Sequence, residues 1–412
     1  MLHFTLFVAQ LALLLAAFKV YDLEVPTFFK LCEIVFAGFA VSYWVPFRFK
    51  EFFLIAISLG GACLLLTPLV ASLLLGVGAA LFAIVSSPFA FRWKVVVLLC
   101  VLAVAVYGKS TGAFPVPHEF WPVLGSVFMF RMIVYMYDLS HAKAPPPLKD
   151  FATYFFILPN YYFLLFPIVD FQTMRKSYFK RDINVVAQQG VWWIVRGATH
   201  LLLYRIIYQT QGTFTPPTVS VPIAVVGRML FTYLLILRVT GQFHIIAGML
   251  CLFGYDVPEM NHLFLLSAGF NDFWRRASIY WKDFMVKVFY YPAYFAMRKA
   301  NEHRAQIVAT AWVFVVTWFL HGVQFYWIQG RFPLTWNDAL FWFILGSFVV
   351  GEAWYDMLHP RPARALTKTG WKYRAQHAAK VGLTIATVSV LFSLWSANSM
   401  EEWFYFLRSG HV

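Results

Sequence analysis

The residues in this chain whose types and spacing best suit chemistry lie close together. From Gly254 to Pro292 the sequence reads GYDVPEMNHLFLLSAGFNDFWRRASIYWKDFMVKVFYYP, and 29 residues after Pro292 comes His321, within TWFLHGVQFYW. Acids, paired arginines, aromatics and an imidazole gather here in a chain that otherwise avoids polar groups. Imidazole titrates at about pH 6.5, which suits it to take a proton from a hydroxyl at neutral pH. Guanidinium and ammonium groups suit phosphate or carboxylate. The chemistry on offer is therefore proton abstraction beside a cationic, aromatic surface.

Each of these residues also has a plainer reading. A lone histidine on an apolar helix is more often a hydrogen-bonded core residue than a base, and for His321 the residues leave both readings open. Gly322 beside it allows close approach of backbone or ligand. Gly254 to Asn261 reads as a loop, because Pro258 biases Val257 away from helix. Phe270 onward reads as a helix start, with Asn271 or Asp272 as N-cap. Arg275, Arg276, Lys282 and Lys287 lie among Trp274, Tyr280, Trp281, Phe284, Tyr290 and Tyr291, a mixture that suits an interfacial helix. Asp256 and Glu259 are expected to pair with Arg275 or Arg276. Asp170 is expected to cap the element after it. His244 and His200 read as packed residues, with His244 near enough in sequence to line the same cavity.

Membrane helices must position these groups. The chain is 61% hydrophobic, 20% aromatic and only 13% charged, with a mean hydropathy of +0.66. That is far more apolar than a soluble domain. Runs approaching the roughly 20 residues needed to span a bilayer recur throughout: Leu2 to Phe18, Leu31 to Phe47, Phe52 to Leu66, Leu69 to Val85, Val95 to Val106, Phe151 to Val169, Val191 to Ile207, Val221 to Leu237, Ile307 to Tyr326, Leu340 to Val350 and Val381 to Trp395. The expectation is an all-α polytopic membrane protein with about 11 crossings plus re-entrant or interfacial helices. A barrel would alternate in strands of about ten residues. The first run has neither a basic start nor a small-residue cleavage site, so it reads as a retained helix.

The net charge of +14 does not imply nucleic acid, because the basic residues form short clusters between apolar runs, as the positive-inside rule predicts. The densest cluster, Arg361 to Arg374, reads as cytoplasmic and attractive to anionic lipid headgroups. Cys32, Cys63, Cys100 and Cys251 show neither disulfide nor zinc spacing and read as buried thiols. The Pro run in His141 to Lys149 reads as an exposed connection, and the chain as one membrane domain, 1–412.

The block FWRRASIYWKDFMVKVFYYP resembles the signature of membrane-bound O-acyltransferases, and the His-Gly of Leu320 to Gly322 is similar to that family's second signature. FHIIAGMLCLFGYDVPEMN, from Phe243, and FATYFFILPNYYFLLFPIVDFQTM, from Phe151, resemble the bacterial branch that modifies alginate and teichoic acids. The resemblance covers Phe120 to Trp327, in the family's order and spacing. It would divide the chain into N-terminal helices (1–119), an acyltransferase-like core (120–327) and C-terminal helices (328–412).

The resemblance implies a bundle with a central tunnel in a bacterial cytoplasmic membrane. The enzyme would move an acyl group from acyl-CoA or another thioester to a hydroxyl of an envelope glycan, lipid or small acceptor. His321 would occupy the catalytic base position. Ser278 would stand where the family usually carries His or Asn, as a second polar catalytic group. Trp274, Arg275, Arg276, Trp281, Lys282, Asn271 and His244 would line the substrate site. Phe166 replaces the glycine that often precedes Pro-Ile. No metal or resident cofactor is called for, and the expected partners are membrane lipids, the thioester and an envelope protein. The alternative is a non-catalytic protein of the same fold, a transporter or an acyl or lipid carrier.

Overall fold

The computed structural model describes residues 1–142, 147–165, 169–332, 335–359 and 370–411. The described residues are 81% helical, and among them the only β pairing is an isolated bridge between Tyr178 and Tyr255. In order the helices are α1 (Leu2–Val20), α2 (Pro26–Trp44), α3 (Phe47–Leu65), α4 (Pro68–Ser86), α5 (Phe91–Thr111), α6 (Phe120–Val123), α7 (Phe130–Ser140), α8 (Leu148–Phe156), α9 (Phe171–Ser177), α10 (Ile183–Thr213), α11 (Val221–Leu234), α12 (Ile236–Leu252), α13 (Phe270–Arg276), α14 (Ile279–Met285), α15 (Tyr291–Met297), α16 (Glu302–Gln329), α17 (Trp336–Leu358), α18 (Trp371–Ser396) and α19 (Met400–Ser409). A π-helical turn, Leu124–Met129, joins α6 to α7, and another, Val286–Tyr290, joins α14 to α15. The second turn has a local cause. Pro292 lacks an N–H and its ring would collide with the carbonyl four residues back, so the widened turn lets the helix continue past it.

Helix ends follow their chemistry. Proline occupies an opening position in α2, α4 and α11, where its missing donor costs nothing. Thr67, Asp170, Thr335 and Ser399 cap α4, α9, α17 and α19 by accepting from backbone N–H groups. Asp170 thus caps the following element, as expected.

Eight helical segments among the described residues are long and apolar enough to cross a bilayer, against the eleven expected. This is a multi-pass membrane protein. Seven of the eight coincide with predicted runs. The eighth, Phe120–Ser140, was missed because Arg131 and Asp138 interrupt its apolar pattern, yet 78% of it is buried, against 6% for Phe91–Thr111. Four predicted crossings do not meet the same test. In α3 the charges Arg48, Lys50 and Glu51 shorten the apolar length. Phe151 to Val169 is broken after Phe156, where Asn160 donates to the carbonyls of Tyr154 and Phe155 and accepts from Arg131 at 2.8 Å. This non-helical backbone is satisfied by protein, the condition for it at membrane depth. The other two runs lie in α10, which is dotted with Gln and Arg, and in α17, which carries Asp338, Glu352 and Asp356.

The chain divides into two compact units. One comprises Met1–Thr199, Gly241–Pro258 and Gln324–Phe332; the other comprises His200–Thr240, Glu259–Val323 and Pro333–Val412. In the first unit, α10 and α12 approach backbone to backbone through Gly190 against Gly248 and Gly197 against Gly241. In the second, α11 packs along α18, and α17 packs against both α18 and α13. Its core holds Phe314, Phe341, Trp342, Leu345, Val349 and Leu391.

Cys32 and Cys251 are buried as expected, whereas Cys63 and Cys100 are exposed. Both lie beside exposed apolar side chains, Leu64 next to Cys63 and Leu99 and Val101 next to Cys100, so a small hydrophobe is at home there. Lys143–Pro146 of the proline run, Phe166 and Arg361–Lys368 of the basic cluster lie outside the described residues. Lys372 and Arg374 are exposed.

Candidate functional site

The second unit gathers aromatic rings around His321. The Trp342 ring centroid lies 4.8 Å from that of the imidazole, Trp281 lies 5.3 Å away edge-on, and Trp395 lies 6.4 Å away edge-on. These walls come from α17, α14 and α18, while His321 is on α16. The imidazole Nδ1 lies 3.2 Å from the carbonyl oxygen of Thr317, one turn earlier. A carbonyl only accepts, so Nδ1 carries the proton and Nε2 keeps its lone pair. Among the described residues, no protein group is hydrogen-bonded to Nε2. In the neutral form of this imidazole Nε2 is therefore the basic nitrogen, and it makes no hydrogen bond to a described protein group.

The block from residue 258 to 282 is held as a latch. Ile279 N–H donates to Met260 O at 2.8 Å, His262 N–H to Arg276 O at 3.0 Å, and Ser278 N–H to the Asn261 side chain at 2.8 Å. The loop is thereby fixed to the turn that opens α14, and α14 carries Trp281 to the imidazole. Ser278 sits at the turn's sharpest point, at φ 47° and ψ 54°, and its hydroxyl makes no capping bond. This left-handed region disfavours most side chains. Replacing Ser278 with Gly is expected to raise stability by about 1 kcal/mol and replacing it with Val to lower it by at least as much, read as thermal melting in detergent. Replacing Asn261 with Ala leaves the Ser278 N–H without its acceptor, and a loss of about 1–3 kcal/mol is expected in the same melt.

The other predicted residues fall into place differently. The α13 N-cap is Gly269, not Asn271 or Asp272. The Glu352 carboxylate already takes the Asn271 N–H at 2.8 Å, and Asp272 accepts from Ala268 N–H, so neither side chain needs to act as the cap. Asp256 pairs with Arg181, and Glu259 with His262, while Arg276 pairs with Asp272 one turn away. The expected pairing of Asp256 or Glu259 with Arg275 or Arg276 is thus replaced by nearer partners. Lys282 pairs with Asp283. Arg275 is exposed, and among the described residues it has no carboxylate in ion-pair range. Trp274 packs on Phe314, with ring centroids 4.7 Å apart. His244 is buried in the first unit, on α12, and His200 Nδ1 lies 3.1 Å from Thr240 Oγ1.

Sequence reading missed Thr317, Trp342, Trp395 and Asp338. Asp338 is only 8% exposed. Its two oxygens accept from the indole N–H groups of Trp318 at 2.6 Å and Trp395 at 2.7 Å. Its sequence setting, Thr335-Trp-Asn-Asp, reads as an ordinary helix start. Only its flanking tryptophans hinted at more.

The sequence matches no protein-family profile and no curated protein. The site and fold define a class no narrower than a multi-pass helical membrane protein with an imidazole held in an aromatic cage.

Proposed function

We propose that this chain is a membrane-bound O-acyltransferase of a bacterial cytoplasmic membrane, with His321 as general base. The observation that carries this reading is the contact of His321 Nδ1 with the Thr317 carbonyl oxygen at 3.2 Å. Thr317 holds Nδ1–H, so Nε2 is left as a proton acceptor among rings that limit water. An acceptor O–H would give its proton to Nε2 as its oxygen attacks the thioester carbonyl. The tetrahedral intermediate would then expel the thiolate, which recovers the proton from the imidazolium. Ser278, on a turn latched by Asn261, is the second polar group. Arg275 is the cation most open to donor phosphates, with Arg276 and Lys282 beside it. Support for the acyl class also comes from the ordered resemblance of Phe120 to Trp327 to that family.

The test uses the protein in nanodiscs with acyl-CoA donors of increasing chain length and an envelope fraction as acceptor. It is paired with mass spectrometry of envelope glycans and lipids from cells with and without the gene. The expected result is one ester class that disappears with the gene and forms in vitro. An unchanged acylation profile together with no transfer from any donor would overturn the enzyme reading in favour of a carrier.

A further inference from the structure

We propose that Asp338 is a positioning residue for His321, acting through the indole of Trp395. The proposal extends the reading of His321 as the base and rests on it only for the kinetic arm of its test.

A carboxylate in an apolar helical core is costly unless its oxygens are satisfied. The two indoles that Asp338 holds, Trp318 and Trp395, pack against the core of Phe341, Trp342, Leu345 and Leu391, where an apolar residue would be seated at less cost. What the carboxylate adds is two acceptors in fixed directions. One takes Trp318, which lies three residues before His321 on α16, and the other takes Trp395 on α18. Asp338 itself is one turn before Trp342 on α17, so the two share a face. The carboxylate therefore ties the helix bearing the imidazole to two of the three helices that wall it. Asn337 adds to the same junction, donating to Ala397 O at the end of α18 at 3.0 Å. Trp395 is the route by which this reaches the imidazole, since its ring stands edge-on to His321 and also meets Trp342 at 6.2 Å. Trp395 can take one seat only while its N–H is held.

Asp338→Asn is the smallest change that breaks the arrangement. It keeps the shape but turns one acceptor into a donor facing an indole N–H. The probe is diethyl pyrocarbonate, which modifies an imidazole nitrogen that holds a lone pair and needs no acyl-transfer activity. The rate at His321 is followed by mass spectrometry, with exposed His411 as reference, for wild type, Asp338→Asn, Trp395→Phe and the double variant. In both single variants the His321 rate is expected to change by about fivefold or more as a single exponential, and the double variant is expected to go no further than either. Transfer by Asp338→Asn is expected to lose about tenfold in kcat with KM for the thioester unchanged.

A His321 rate within twofold of wild type would overturn the proposal. So would additive effects of the two substitutions, or a biphasic course with one phase at the wild-type rate, which would give Asp338 a purely structural role. If wild type transfers no acyl group, the base assignment fails, and the modification rates still decide the positioning claim. If His321→Ala abolishes transfer while Asp338→Asn leaves both readouts intact, only the positioning claim fails.

Discussion

His321→Ala is expected to lower O-acyl transfer by about a thousandfold, within the range that a positioned general base contributes. That corresponds to about 4 kcal/mol of barrier. The loss is expected in kcat with KM for the thioester nearly unchanged, because proton transfer develops only in the transition state. The physical basis is the pairing of Nδ1 with Thr317 O at 3.2 Å. That contact sets which nitrogen is basic, and no other side chain among the three rings around it offers a proton acceptor. Alanine leaves a space between Trp342 and Trp281, so monodisperse elution and an unchanged melt must accompany the kinetic result. Retention of full transfer by a well-folded His321→Ala protein would remove the imidazole from the chemistry.

The second large effect concerns assembly. Gly248→Leu is expected to destabilise the protein by about 3 kcal/mol or more and to cost most of the folded yield. A Cβ on Gly248 would stand 2.5 Å from Gly190 O, and one on Gly190 would stand 2.7 Å from Gly248 O. The obstacle is backbone on both sides, so no rotamer change can relieve it. The helices would have to part, and Gly197 against Gly241 repeats the same approach seven residues along. Small residues at such spacing are how helices gain dispersion contacts where lipid offers no hydrophobic drive. Gly212→Ala is the control. A Cβ there meets nothing within 4 Å, and alanine's helix preference predicts no loss. Fluorescence-detected size exclusion of the two variants reads the difference. Equal yields would show that α10 and α12 can separate at little cost.

The particular elements show where sequence reasoning held. Solid apolar runs such as Leu69 to Val85 became membrane helices because length and hydropathy are local properties. Asp170 was legible as a cap for the same reason: its partner, the Thr173 N–H, is three residues away. Where a run contained a proline and an amide, as in Phe151 to Val169, hydropathy counted a crossing that Asn160 and Pro159 interrupt. Where a buried arginine broke the pattern, as in Phe120–Ser140, hydropathy missed a largely buried helix. In the candidate site, His321 could be picked out by residue type, whereas Ser278 was singled out only by the family resemblance and its left-handed turn between α13 and α14 was not legible. The partners of Asp256, Glu259 and Arg276 could not, because pairing depends on which charge the fold brings nearest.

By itself the sequence determined that this is a helical, multi-pass membrane protein and that His321 is the imidazole worth testing. Both follow from composition and from residue types within a few turns of each other. Only the tertiary structure decided that Trp281, Trp342 and Trp395 wall that imidazole and that Asp338 fastens two indoles from α16 and α18. Those residues are spread over more than a hundred positions on four helices, and their meeting depends on helix packing, which no local pattern encodes.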